Sequence, residues 1–379
     1  MKSLVRHSFA FLDSERSGGI LLLACTFISL VLANTFWAQD YQDAWHSVLF
    51  LKPNEFWIND GLMTIFFLQV GLEIEREIYV GELNDFKNAL LPILAAFGGM
   101  LVPASIHFLL NRGTIAQNGY GIPMATDIAF SLGILSLLGN RVPISLKIFL
   151  TALAIIDDLG AIIVIAVFYS SHLSLIYLGL ALLIFAFLIL LNRLNVLSIW
   201  IYLLVGCVMW FCMHRSGIHA TITGILLAFS IPFRHGDEGS PSSILQGMLH
   251  KPVMLVVLPL FALANTAIAI PSTFMTDLIS FNSLGIILGL VIGKPIGIFL
   301  FSWMGLTLGW CALPESLKLR HILSVGALAG IGFTMSIFIT LLAFNCSCVI
   351  DSSKIAVLTG SVLSGVVGLT WLHIALKKK

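Results

Sequence analysis

The sequence predicts an all-α polytopic membrane protein, on three observations. Hydrophobic residues fill 58% of its 379 positions and charged residues only 10%, whereas soluble domains carry about 25% charged residues. Apolar runs of spanning length recur from end to end. Lysine and arginine between those runs favour alternate linkers. The net charge of +1 gives no polyanion-binding signal, so nucleic acid is not an expected partner. No Gly-rich loop leads into a Lys-Ser/Thr pair and no His or Cys spacing suggests a metal centre, so neither nucleotide chemistry nor a cofactor is expected. Six cysteines build no disulfide framework: Cys25, Cys207 and Cys212 fall inside apolar runs, where a free cysteine acts as a small hydrophobe.

Twelve runs can be read, with soft ends: 18–36, 57–73, 90–110, 121–138, 145–169, 174–191, 197–213, 217–233, 252–270, 282–303, 321–344 and 354–376. The first is longer than a signal-peptide core and is set off from the basic N-terminus by polar residues, so an uncleaved span is expected. With the N-terminus placed in the cytoplasm, fifteen of the 20 basic residues fall on the inner side and four on the outer. Lys294 alone lies inside a span. That bias puts both termini inside and requires an even number of spans.

Asp157 and Asp158 interrupt the fifth run. A carboxylate inside a span costs about 3 kcal/mol on insertion scales, so two in a row must be used or paired. The bland alternative is that one merely pairs structurally with a neighbouring helix. Lys294, followed by Pro295 in the tenth run, needs a carboxylate partner, and the Asp pair supplies one. Adjacent helical residues point about 100° apart, so one Asp can face the lysine and the other an aqueous funnel.

The fourth run carries Pro123, Thr126 and Asp127 at mid-membrane depth. Proline breaks a helix and frees backbone groups that then need partners. Asp127 could contact an ion there or simply balance a half-helix dipole. The eleventh run is Gly-rich at Gly330-Ile331-Gly332, which signals either close packing or a second unwound segment. The fourth and eleventh runs are each the middle member of a three-span group. Inverted repeats over about 90–170 and 282–376 are therefore expected within one transporter domain, 1–379, with interface-type spans at about 18–73 and 174–270. At the end of the second run Glu73, Arg76 and Glu77 share a helical face. They form either a solvated ion-pair cluster or a group that senses pH.

Taken in order, the motifs Trp57-Ile58-Asn59-Asp60, Val70-Gly71-Leu72-Glu73, Ala125-Thr126-Asp127-Ile128-Ala129-Phe130, Leu153 to Ala161, Arg215 to Thr221, Ile292-Gly293-Lys294-Pro295 and Gly330 to Ile337 resemble the NhaA-type Na+/H+ antiporters of bacterial inner membranes. The resemblance runs from Ser17 to Leu376, and that family is itself an established example of the inverted-repeat architecture. It implies that two interrupted helices cross. It implies Asp158 as the main Na+/Li+ and proton carboxylate, with Asp157 beside it pairing Lys294. Thr126 and Asp127 would stand at the crossing. Glu73, Arg76, Glu77, His219 and His250 would shape the pH response. Gln246 and Gly247 stand where the family commonly has Glu and His. A homodimer is also implied, although the linker 37–56 is shorter than the family's hairpin.

The expected activity is secondary exchange of Na+ or Li+ for protons, electrogenic and pH-regulated, with no enzyme chemistry. The alternative is another proton- or sodium-coupled solute carrier on the same scaffold. An intramembrane aspartyl protease would need its two Asp on facing helices, and Lys294 would oppose such a dyad.

Overall fold

A computed structural model describes residues 15–81, 83–169, 173–233, 239–271, 274–314 and 317–376. Both chain ends, with the expectation that they are cytoplasmic, lie outside the described residues. The chain is an all-α multi-pass membrane protein with one small departure: Val48–Leu49 pairs antiparallel with Lys52–Pro53 in the linker expected to be short. Among the described residues seven helices are long and apolar enough to span a bilayer, or eight when the bent pair Leu319–Ala329 and Phe333–Ala343 counts as one.

Four of the twelve expected runs fall short of that criterion for identifiable reasons. Ser17–Leu32 is a shorter apolar helix. The second run opens as a π-helical turn, Trp57–Leu62, before the 17-residue helix Met63–Tyr79. The fourth is interrupted, and the eighth holds only the 9-residue helix Ile222–Ser230. The ninth begins earlier than its apolar run, because the amphipathic helix Pro241–Pro252 leads into it. Leu175–Arg193 leaves Ile176, Leu180 and Leu183 exposed, as expected of a helix facing lipid tails rather than water.

The chain divides into two compact units. The first comprises Met1–Leu30, Asp85–Ala161 and Ile268–Lys379. Its tightest packing joins helix Phe86–Leu110 to helix Lys294–Thr307. A Cβ on Gly98 would run into the carbonyl oxygen of Gly297, and one on Gly297 into that of Gly98. Small residues let two backbones touch, which is how helices associate where lipid is as apolar as leucine.

Two helical paths in this unit are broken. Gln117–Met124 is a 3-10 segment containing Pro123, Ala125 and Asp127 are extended, and a new helix runs Ile128–Ser136. Proline explains the break, since it supplies no amide donor and its ring crowds the preceding turn. The second break separates Leu319–Ala329 from Phe333–Ala343, with a bend of 52°. The intervening Gly-Ile-Gly forfeits helix propensity. It also permits close contact: a Cβ on Gly330 would strike the carbonyl of Leu290.

The second unit comprises Val31–Asn84 and Ile162–Ala267. Its core gathers Leu72, Tyr202, Met209, Leu227 and Ala228. Helix Met63–Tyr79 lies against Ile222–Ser230 through Gly71, which faces Ala228, and Gly224, which sits on the backbone of Thr64 and Phe67.

Candidate functional site

The first unit's two helix breaks meet. The amide of Asp127 donates to the carbonyl of Ile331 at 2.7 Å. Asp127 caps its own half-helix by accepting from Phe130 N at 2.9 Å through Oδ1. Its Oδ2 accepts from the amide of Thr334 at 3.1 Å and from the Thr334 hydroxyl. One carboxylate thus serves the N-termini of Ile128–Ser136 and Phe333–Ala343 together, where helix dipoles favour negative charge. Both Asp127 oxygens are engaged by these bonds, the arrangement of a cap and charge balancer.

Beside this junction lies the ionisable cluster. Lys294 is fully buried, and its Nζ sits 2.8 Å from Oδ2 of Asp157. It also donates to the carbonyl of Met124, one of the groups exposed by the break. The approach is set locally by a π-helical turn, Gly289–Gly293, directly before the lysine. Such turns re-aim a side chain without ending the helix. The hydroxyl of Thr126 is 2.8 Å from the same Oδ2 and 2.9 Å from the carbonyl of Ala329. It carries one hydrogen, so it serves one of these acceptors at a time.

Asp158, on the next position of helix Ile144–Phe168, is fully buried too and acts electrostatically on Lys294. Oδ1 of Asp157 is buried with no hydrogen bond, near Gly99. The cluster therefore offers buried carboxylate and hydroxyl oxygens around one ammonium. Those are donors for a hard monovalent cation, or places for the protons that replace it.

Glu73, Arg76, Glu77 and His250 belong to the second unit. Gln69 donates to Glu73 at 2.8 Å, and Nδ1 of His250 lies 4.0 Å from the same carboxylate oxygen. Arg76 and His250, with Gln69, Ser243, Gln246 and Gly247, line a cavity of about 550 Å³. Glu77 folds back towards Gly81. His219 stays apart from that cavity. It sits in the turn before Ile222–Ser230, with Nε2 3.0 Å from the carbonyl of Tyr169.

Two features escaped sequence reasoning. Ser242 donates to Glu75 at 2.7 Å, and Glu75 lies off the face shared by Glu73, Arg76 and Glu77. Thr334 holds Asp127, and its only signal was a hydroxyl just after the Gly-rich stretch.

Buried acids opposed by a buried lysine, where two broken helices meet inside a membrane bundle, define a secondary ion carrier. The sequence profile described as "Na+/H+ antiporter 1" matches residues 9–372, and the chain belongs to that family. It is 59% identical over 364 residues to "Na(+)/H(+) antiporter NhaA 1" of Flavobacterium johnsoniae, covering 96% of each chain. It is 57% identical over 367 residues to "Na(+)/H(+) antiporter NhaA" of Flavobacterium psychrophilum, covering 97% of this chain and 96% of the relative. The protein of the same name from Cytophaga hutchinsonii is 56% identical over 368 residues, with 97% and 95% covered.

Proposed function

We propose that this chain exchanges Na+ or Li+ for protons across the bacterial inner membrane, with Asp158 as the principal carboxylate. Asp157 is the partner of Lys294, and Thr126 and Asp127 hold the junction. The observation that carries the reading is the buried Asp157–Lys294–Thr126 cluster, with Asp158 adjacent, at the meeting of two helix breaks. From inside, the cation displaces protons from the carboxylates; from outside, protons displace the cation, as the site faces each side in turn. Binding and release suffice, and no covalent step is required.

Twelve spans, inverted repeats at about 90–170 and 282–376, interface spans at about 18–73 and 174–270, and cytoplasmic termini complete this reading. The two interrupted paths in corresponding positions of the halves support it, as does the basic-residue bias. Two acidic groups support more than one proton per cation, so that the membrane potential drives export at about 2.3 kcal/mol per net charge per 100 mV. The hairpin at Val48–Leu49 and Lys52–Pro53 exposes Phe50 and Leu51 and supports a homodimer. Glu73, Arg76, Glu77, His219 and His250 tune the pH profile.

The test is dissipation of a preset pH gradient in proteoliposomes on adding NaCl, LiCl or KCl from about pH 6.5 to 9, a span that brackets titration near neutrality. Na+ and Li+ collapse the gradient with the wild type and fail to with Asp158→Asn. Well-folded protein that moves protons with no alkali cation at any pH overturns the reading in favour of another coupled solute carrier. Reversal potentials of wild type and Lys294→Gln then decide electrogenicity and whether the lysine carries a proton.

A further inference from the structure

The turn between helix Phe333–Ala343 and helix Ser347–Ala375 carries two thiols that the exchange cycle leaves unused. Cys25, Cys207 and Cys212 ride on helices inside apolar runs, whereas Cys346 and Cys348 stand at an open helix end. Both are exposed, and their sulfurs are 2.8 Å apart. Cys346 is the N-cap of the 29-residue helix Ser347–Ala375, with extended backbone, and its carbonyl accepts from the amides of Val349 and Ile350. Cys348 lies in the first turn of that helix. An N-cap has non-helical backbone, so the chain bends where the helix begins and the two side chains meet.

The surroundings decide what the pair can do. Among the described residues no third His, Cys, Asp or Glu joins them, so they do not build a closed metal centre of the zinc type. The next acid along the helix, Asp351, interacts with Lys354. The Cys346 thiol is held below its usual value, first by a hydrogen bond from the Cys348 thiol and then by the amides of Val349 and Cys348. With Cys346 as the thiolate, the donor between the two sulfurs must be Cys348. An accessible cysteine made acidic at a helix N-terminus, with a second thiol beside it, is the setting of redox-active cysteines. In the topology proposed above, this turn follows the eleventh span and faces outward, the side on which disulfides persist.

We propose that Cys346 and Cys348 form a reversible dithiol–disulfide site on the outer face of the protein, with small or protein-borne disulfides as its reaction partners. Its outward placement rests on the antiporter reading and its topology; the thiol chemistry does not. The Cys346 thiolate attacks one sulfur of a disulfide RSSR, forms a mixed disulfide with one R–S group and expels the other as a thiolate. Cys348 then gives up its proton and attacks Sγ of Cys346, which displaces the second thiolate. The two cysteines lose two electrons and RSSR gains them. The proton of Cys348, and the one Cys346 had already released to water, convert the two thiolates to RSH. Because the resolving thiol sits on the same turn, its attack is intramolecular and outruns capture by a second molecule. The bond it closes is exposed, so a thiolate can reach it and run the exchange backwards.

The test uses the full chain in nanodiscs, mixed with oxidised glutathione, quenched with a maleimide and digested, so that the mass of the peptide holding residues 346–348 reads its oxidation state. In the wild type that peptide loses two hydrogens, carries no glutathione and returns to its starting mass with dithiothreitol. Cys348→Ser stops one step earlier and retains one glutathione on Cys346. Cys346→Ser, which keeps a favoured N-cap residue, gains glutathione at Cys348 several-fold more slowly than Cys348→Ser gains it at Cys346. Both positions are exposed, so neither change disturbs the core. A wild-type peptide that keeps both thiols free, or that accumulates glutathione instead of the internal bond, overturns the site. Equal rates in the two variants overturn Cys346 as the attacking thiol. A membrane-impermeant maleimide labels the pair from outside in right-side-out vesicles; labelling from the inner side alone overturns the outward placement. If the wild type moves no protons with any alkali cation, the antiporter reading fails, and the mass measurements still decide the thiol site.

Discussion

The junction in the first unit and the mouth in the second hold ionisable groups on opposite terms. At the junction Lys294 and both aspartates are fully buried, and two backbone carbonyls freed by the helix breaks join them: that of Met124 accepts from Lys294 and that of Ala329 from Thr126. At the mouth the groups ride on unbroken helices. Long side chains reach one another across a cavity of about 550 Å³, and Glu73 meets His250 only at 4.0 Å. The comparison teaches that main-chain geometry fixes the groups of the proposed transport site, whereas the groups proposed to tune the pH response sit on adjustable side chains. Damage should be severe and specific in the first region, and graded in the second.

Removing the lysine is the strongest way to break that contrast. Lys294→Met leaves Asp157 charged and buried without its partner, at about 3–5 kcal/mol, read as a lower unfolding midpoint in detergent. Adding Asp157→Asn to the same protein should restore most of the loss. A double variant as unstable as Lys294→Met alone would mean that packing, not charge, holds the site.

Next comes Gly297→Ala. A Cβ there meets the main chain at Gly98, which cannot swing aside as a side chain could. The helices must part, at about 1–3 kcal/mol, and Lys294 moves with its helix. Exchange activity should fall more steeply than thermal stability; equal losses would assign Gly297 to stability alone. Thr126→Val is milder. It deletes the hydroxyl that Asp157 and Ala329 share, at about 1–2 kcal/mol, and should weaken apparent Na+ affinity while Thr126→Ser retains it.

The smallest effect belongs to the mouth. A Cβ on Gly247 meets nothing within 4 Å, so Gly247→His should change stability by no more than about 0.5 kcal/mol. It would add a group titrating near 6.5 to the cavity, seen as an extra inflection in the pH profile of exchange. An unfolded Gly247→His protein would show that the mouth is as tightly specified as the junction.

Sequence reasoning found the junction because charges, Pro123 and paired glycines stand out against apolar runs. Their pairing was legible too, since Lys294 in lipid demands an acid. Three things were beyond it. Gly98 and Gly297 touch across more than a hundred residues, and nothing local marks that approach. Ser242 is an ordinary first-turn serine until Glu75 is brought to it. The start of the ninth helix at Pro241 was hidden because its first three turns are amphipathic and therefore absent from an apolar count. What the sequence leaves out is long-range contact, while chemistry that conflicts with its surroundings can be read directly.

The single hydrogen of Thr126 has a consequence for signalling. While Asp157 is a carboxylate, it draws that hydrogen; once Asp157 gains a proton of its own, the hydroxyl can turn to the carbonyl of Ala329, 2.9 Å away. The carbonyl belongs to the end of helix Leu319–Ala329, at the second break. Rotation about one C–O bond thus tells one broken helix whether the acid beside the other is loaded, with no heavy atom displaced.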